Sequence, residues 1–245
     1  MGLLDLFKRD NAEQEITRSA LDEARDPGAD SGAVTALIQR ILDVGLDGMG
    51  PLKGAHKLAD KAKAKKTDTE DAIAWVARSG IRDAAGGGFV TSLGGFVTMP
   101  VAIPANVFEF YVFGTRAVGA IAKLRGYDIT QPEIRTAILL TLVGSRSTEI
   151  LAKAGVNLGT HAVGGLATKR LPKAAIMMIN KAVGFQLLKS VGEKTLARFG
   201  KAVPLLGGGF GAVVDGAMMS KIVDHARAEF PATMPAARAR VDLNL

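Results

Sequence analysis

The sequence predicts an all-α fold, a single multi-helix bundle without a sheet. Apolar residues recur at spacings of three and four in several segments, which is typical of helices that bury one face. No segment shows the strict alternation of apolar and polar residues that a half-buried strand requires. Glycine is abundant, 29 of 245 residues, and it is concentrated in apolar segments. This placement favours close contacts between helices over flexible linkers.

Two helices are predicted in the first 50 residues. Residues 11–25 carry a weak helical pattern. A stronger helix starts after Asp30 or Ser31, whose side chains are suited to cap a helix N-terminus, and it ends at a group of glycines followed by a proline. Its apolar face is formed by Val34, Leu37, Ile38, Ile41, Leu42 and Leu46. We assign residues 1–50 to an N-terminal helical extension.

The next segment is a lysine-rich helix. Lysines recur at every fourth position, at Lys53, Lys57, Lys61 and Lys65. At this spacing they lie on one helix face, and such a face attracts anionic lipid headgroups. The alternative is an ordinary solvated surface. A cap within Thr67–Thr69 then starts a helix that leads into the most apolar part of the chain.

The stretch from Ala84 to Ala122 contains two charged residues, Glu109 and Arg116. It is long enough for a transmembrane helix, which needs roughly 20 apolar residues. Pro100 and Pro104 interrupt it, because proline lacks the backbone N–H that a helix interior requires. We therefore predict a helical hairpin whose corner is formed by these two prolines, in place of one straight span.

The two charges of this stretch need partners, because an unpaired buried charge is costly. Glu109 and Arg116 lie on nearly the same helix face, but they are seven positions apart, which is too far along the helix axis for a direct ion pair. A second uncharged segment, 202–214, is followed by Asp215. We hypothesise an ion pair between Arg116 and Asp215 that joins the two helices. The alternative is that each side chain faces solvent or a local helix end.

The last three helices begin at recognisable start signals. These are, in chain order, the capping-box pair Thr130 and Glu133 for a helix over 131–154, Pro172 for a helix reaching Ser190, and Pro204 for a helix reaching Phe230. The main helical domain is therefore predicted to cover 51–230. Residues 231–245 contain two prolines and are predicted to form a flexible tail.

Several of these segments resemble the EcsC family of bacterial proteins. The resemblance rests on Gly94-Gly95-Phe96, the Met99-Pro100…Ile103-Pro104 corner, Arg116 followed by AVGAIAKLRGYD, and Ala202-Val203-Pro204-Leu205-Leu206-Gly207 leading to GAVVDGAMMSKIVDHA. It covers residues 70–230. The resemblance implies a largely helical protein that is cytoplasmic or peripheral at a membrane. The family takes its name from a gene that accompanies an ABC transporter, so the resemblance also implies an accessory role in a membrane system.

The composition favours an anionic partner. The formal net charge is +7 and the pI is about 9.7, which suits a membrane surface or a nucleic acid. Nucleic acid is disfavoured, because aromatic residues make up only 5% of the chain and no basic motif of a nucleic-acid module occurs. We expect contact with anionic lipid at the inner face of the cell membrane, and we consider a membrane transport protein or a second copy of the chain as further partners. Four phenylalanines join the lysines as predicted membrane contacts: Phe89, Phe96, Phe108 and Phe110.

No motif predicts an enzyme, a metal site or a cofactor. The chain has no cysteine, so thiolate nucleophiles, thiolate metal ligands and disulfides are excluded. Residues 207–212 formally match GxGxxA, but no strand pattern precedes them, as a dinucleotide site requires. His225 and Glu229 have the spacing of a metal pair, for which surface charge is the simpler interpretation. We interpret His161 as a structural histidine.

We therefore expect a non-enzymatic, membrane-associated helical protein of the EcsC type. The alternative is a soluble helical module that binds another protein or itself without binding a membrane.

Overall fold

The computed structural model describes residues 15–24, 32–93, 99–156, 163, 165–166, 169–199 and 207–232. Within 84–93, 99–107, 190–199 and 207–214 only the backbone is described. In these ranges the predicted all-α class is confirmed, because nearly all regular structure is helical. None of the described helices combines the length and the apolar character that crossing a bilayer requires.

Nine α-helices and one short hairpin make up the described part of the chain. The helices are α1 (15–23), α2 (Gly32–Asp47), α3 (Ala55–Lys65), α4 (Thr69–Leu93), α5 (Met99–Leu124), α6 (Pro132–Leu142), α7 (Ser147–Lys153), α8 (Lys173–Phe199) and α9 (Gly207–Glu229). A 3₁₀ turn, Gly144–Arg146, joins α6 to α7.

The hairpin between α2 and α3 departs from the prediction of a fold without a sheet. Strands β1 (Gly48–Met49) and β2 (Leu52–Lys53) pair in antiparallel register, with Gly48 opposite Lys53. The backbone of Gly48 has φ +91°, a conformation that side chains other than glycine rarely adopt. The glycines that are predicted to end α2 thus also form the β1–β2 hairpin.

Helix α5 is the central element of the bundle. It packs against α2, α3, α4, α6 and α9. Two glycines allow α2 to approach it closely: a Cβ added at Gly45 would lie 2.7 Å from the side chain of Thr115, and one added at Gly119 would lie 2.5 Å from the side chain of Leu46. Both distances are shorter than van der Waals contact allows. The predicted use of glycine for close helix packing is confirmed at these positions.

Helix α2 belongs to the same core as the later helices. All six residues of its predicted apolar face are buried, and the helix packs against α5 and α8. The domain boundary predicted at residue 50 therefore does not separate α2 from the main domain. Residues 1–14 and 233–245, which include most of the predicted tail, lie outside the described residues.

Helices α4 and α5 form an antiparallel pair, but the predicted corner at the two prolines is wrong. Helix α4 continues to Leu93 and α5 begins at Met99, so Pro100 and Pro104 lie inside α5. Pro100 falls in the first turn, where backbone N–H groups have no helical partner in any case. Pro104 lies in the second turn, where it removes the hydrogen bond to the carbonyl of Pro100 and its ring crowds that carbonyl, yet α5 continues through it. The connection itself, 94–98, lies outside the described residues.

The single helix predicted over 131–154 is divided into α6, the 3₁₀ turn and α7. The division occurs at Gly144, which has φ +60° and cannot continue a right-handed helix. The predicted capping box is also wrong. Glu133 Oε1 accepts a hydrogen bond from the backbone N–H of Leu171 at 3.2 Å, and it thereby holds the segment that precedes α8.

Candidate functional site

The lysines that the sequence predicts on one helix face are exposed to solvent. Lys57, Lys61 and Lys65 lie on α3, but the prediction of one helix face is wrong for Lys53, which lies on β2 because α3 begins only at Ala55. The opposite face of α3 is buried in the core and consists of Ala55, Leu58, Ala59 and Ala62. The helix is therefore amphipathic, with its lysines directed away from the bundle. This placement is compatible with a solvated surface and with contact to an anionic partner.

Trp75 of α4 lies beside these lysines. The Nζ atoms of Lys61 and Lys65 are 5.9 and 5.7 Å from the centre of its ring, within the range of cation–π attraction. Trp75 is partly exposed and is the only tryptophan in the chain. Sequence reasoning placed Trp75 in a helix without assigning it a role. A single tryptophan that follows a run of lysines could have drawn attention to it.

Two arginines extend the positive surface along α4. Arg78 and Arg82 are exposed and lie three and seven residues after Trp75, which places all three on one face of the helix. Helices α3 and α4 are joined by three residues and pack together, so their exposed faces are adjacent. We call the set Lys57, Lys61, Lys65, Trp75, Arg78 and Arg82 the basic face.

Two acidic residues next to the basic face are bound by α5 and the turn after it. Lys123 Nζ lies 2.8 Å from Asp60 Oδ1, and the hydrogen bond from Lys123 lowers the pKa of Asp60. Arg125 Nη2 lies 2.9 Å from Glu70 Oε1. Since both carboxylates are paired with cations from outside the basic face, they are not bound to its lysines.

The predicted phenylalanine contacts are not exposed where their side chains are described. Phe108 and Phe110 are each only 8% exposed, and the ring of Phe110 packs edge-on against Tyr111. Their assignment as membrane contacts is therefore wrong for this conformation, because both belong to the core. The side chains of Phe89 and Phe96 lie outside the described residues.

Arg116 forms an ion pair, but not the predicted one with Asp215. Its Nη1 donates to Asp83 Oδ2 at 2.9 Å. Asp83 is on α4, and the antiparallel packing of α4 on α5 brings it opposite Arg116. Both side chains are largely shielded from solvent, with 14% and 27% exposed. The choice between Asp83 and Asp215 depends on the packing of α4 against α5, which the sequence alone does not show.

Asp215 lies close to the other charge of α5, Glu109. Burial raises the pKa of Glu109, and the negative charge of Asp215 raises it further. Asp215 itself is buried, with 6% exposed. The packing of α5 on α9 therefore places Asp215 within electrostatic range of Glu109, whereas the sequence predicted that Asp215 pairs with Arg116.

The histidine at the end of α9 forms no metal site with the residues that are described. His225 Nε2 is 3.9 Å from Glu229 Oε1, while Glu229 Oε2 accepts a hydrogen bond from the backbone N–H of Val163 at 3.0 Å. No group of three or more metal-ligating side chains occurs in the described ranges. Glu229 thus holds Val163 against α9. The GxGxxA match lies in the first turns of α9, and His161 lies outside the described residues.

Comparisons of the chain with protein-family models, with curated proteins and with solved structures find no match.

Proposed function

We propose that this chain is a non-enzymatic, membrane-associated helical protein of the EcsC type that binds anionic membrane surfaces through its basic face. The observation that carries the proposal is a partly exposed tryptophan under two lysines, with three further exposed cations on the same two helices. Lysine and arginine side chains are attracted to anionic headgroups. Tryptophan is enriched at the membrane–water boundary, where its ring is amphipathic. The combination is typical of a surface that rests on a bilayer without crossing it.

The expected strength of this contact is moderate. Each Lys or Arg near an anionic surface contributes about 1 kcal/mol, so five contribute about 5 kcal/mol, or roughly 10⁴-fold in affinity. A single myristoyl chain gives reversible binding of the same order. We therefore propose that the protein associates reversibly with the inner face of the cell membrane and that this binding depends on ionic strength. An accessory role for a membrane transport protein is part of the proposal and is supported by the EcsC resemblance.

A second candidate function is self-assembly or binding to a protein partner without a membrane. The observation that favours it is a pair of exposed methionines on α8: Met177 is 68% and Met178 is 51% exposed. Methionine is frequent on adaptable protein-binding surfaces. Lys173 and Lys181, both exposed, lie one turn to either side of Met177.

Co-sedimentation with vesicles tests the proposal. We expect the protein to pellet with phosphatidylglycerol vesicles at low salt, to remain in solution with phosphatidylcholine vesicles, and to be released from the anionic vesicles by high salt, which screens exposed charges. Protein that stays in the supernatant with anionic vesicles at low salt would refute membrane binding. Binding that resists salt would refute the basic face as its main cause. A concentration-dependent shift in size-exclusion elution, without vesicle binding, would support the second candidate.

A further inference from the structure

A groove unrelated to the basic face lies where α5, α6, α8 and α9 meet. Its volume is about 190 Å³. Most of its lining side chains are apolar, among them Phe110, Leu142, Met218 and Ile222. Two are cations, Arg146 and Lys221. The groove thus combines an apolar interior with positive charge.

The hydroxyl groups of the groove already donate to the protein backbone. The Tyr111 hydroxyl donates to the carbonyl oxygen of Leu187 at 3.2 Å. Thr141 Oγ1 donates to the carbonyl oxygen of Ala137 at 2.9 Å. Neither proton is available for a ligand in this arrangement. Recognition of a bound molecule would therefore depend on apolar contact and on the two cations.

Those two cations, Arg146 and Lys221, are exposed. Neither side chain lies within 4 Å of a carboxylate in the described part of the chain. Glu149 is near enough for Arg146 to contribute to the lowering of its pKa, but the main cause is the hydrogen bond from Lys153, whose Nζ lies 2.7 Å from Glu149 Oε1. Two positive charges are thus left at an apolar groove, which is complementary to a molecule with an apolar body and an anionic end.

We propose that this groove binds a medium-chain fatty acid as its carboxylate. The methyl end of the acyl chain enters the apolar cavity, and the carboxylate of the fatty acid pairs with Arg146 and Lys221. The cavity is smaller than the roughly 300–1,000 Å³ that is usual for small-molecule pockets, which suits part of one acyl chain and not the two chains of a phospholipid. A guanidinium binds a carboxylate through two parallel hydrogen bonds, so Arg146 is suited to the head group. This site is independent of the proposed membrane contact.

Calorimetric titration of the whole chain with sodium decanoate, kept below the concentration at which it forms micelles, tests the inference. We expect saturable binding of decanoate, and binding of decyltrimethylammonium that is at least tenfold weaker, because its head group carries the opposite charge. The double variant R146Q/K221Q should weaken decanoate binding at least tenfold. Both side chains are exposed, so circular dichroism should show an unchanged fold. A cavity-filling variant, Met218→Trp, should weaken binding without altering any charge.

The basic-face variant K57Q/K61Q/K65Q is the matched control, and it should bind decanoate as the unmodified protein does. Absence of saturable decanoate binding would overturn the inference. So would equal binding of the two amphiphiles, or wild-type affinity in R146Q/K221Q. If only the basic-face variant loses decanoate binding, the carboxylate binds at α3 and the inference about the groove is wrong. Decanoate binding without vesicle binding would support the groove and refute only the proposed membrane contact.

Discussion

The cations of the basic face differ in the groups they contact from three cations of α5 and the turn after it. Arg116, Lys123 and Arg125 each bind a carboxylate on α3 or α4, at distances of 2.8–2.9 Å. Lys61 and Lys65 instead lie over the ring of Trp75 and face solvent. The ion pairs of Arg116, Lys123 and Arg125 join α5 and the turn after it to α3 and α4. They thereby stabilise the two helices that carry the basic face. The same residue types thus hold the fold in one place and remain available to a partner in the other.

The largest effect is expected from neutralising three cations of the basic face. At about 1 kcal/mol per lysine, K57Q/K61Q/K65Q should lower affinity for anionic vesicles by roughly a hundredfold. Each exposed cation–π contact contributes about 0.5–1 kcal/mol to stability, so the variant should remain folded. Vesicle co-sedimentation and thermal unfolding measure the two quantities.

Helix α8 offers a matched control with the same change in charge. Lys173, Lys181 and Lys189 are exposed and belong to no part of the basic face. K173Q/K181Q/K189Q should retain most of the vesicle affinity. If this variant loses binding while the α3 variant keeps it, the membrane contact lies on α8 beside its exposed methionines.

A smaller effect, on folding stability, is expected from the cations of α5. Arg116→Met leaves Asp83 without its charged hydrogen bond in a largely shielded position, and should lower the free energy of unfolding by about 1.5–3 kcal/mol. Lys123→Met removes a pair whose aspartate, Asp60, is 64% exposed, and should cost less than about 1 kcal/mol. Urea titration measures both. Equal losses would show that burial does not distinguish the two pairs.

The smallest effect is expected at Glu109, and it depends on pH. Burial and the charge of Asp215 raise the pKa of Glu109 from its ordinary value of 4.5, so the folded protein holds this proton more tightly than the unfolded chain. The stability that this provides is complete below pH 4.5 and is lost as the pH rises through the folded-state value. Glu109→Gln imitates the protonated form, so it should stabilise the protein at neutral pH and lose that advantage below pH 4.5.

Glu149→Gln is the control for this pH dependence. The hydrogen bond from Lys153 lowers the pKa of Glu149, which is the opposite direction. Its substitution should give no gain in stability at neutral pH. Thermal unfolding at a series of pH values compares the two variants, and a Glu109→Gln variant without any gain at neutral pH would contradict the raised pKa of Glu109 and the burial that is its main cause.

The sequence predicted those features that depend on periodicity along one helix. The apolar face of α2, the outward lysines of α3 and the start of α8 after Pro172 all follow from local spacing. The prediction of a corner at the two prolines is wrong because Pro100 falls in the first turn, where proline is tolerated, and because Pro104 does not end α5.

Features that depend on which helices are neighbours could not be predicted. Arg116 pairs with Asp83, Glu133 holds Leu171, and Asp215 lies near Glu109. Each of these contacts joins two segments far apart in the chain, and one sequence does not state which helices pack together. The sequence shows Trp75 as the only tryptophan, but only the packing of α4 on α3 shows that its ring lies beside Lys61 and Lys65.

The claim that the basic face contacts the membrane is tested most directly by the fluorescence of Trp75, because the chain contains no other tryptophan. Its fluorescence can be recorded with anionic vesicles whose acyl chains carry bromine, a short-range quencher. If the basic face rests on the membrane, the emission will shift to shorter wavelength and will be quenched, and high salt or K57Q/K61Q/K65Q will abolish both changes. If the protein binds vesicles but its Trp75 emission is unshifted and unquenched, the basic face is not the membrane contact, because another surface of the protein must then bind the vesicle.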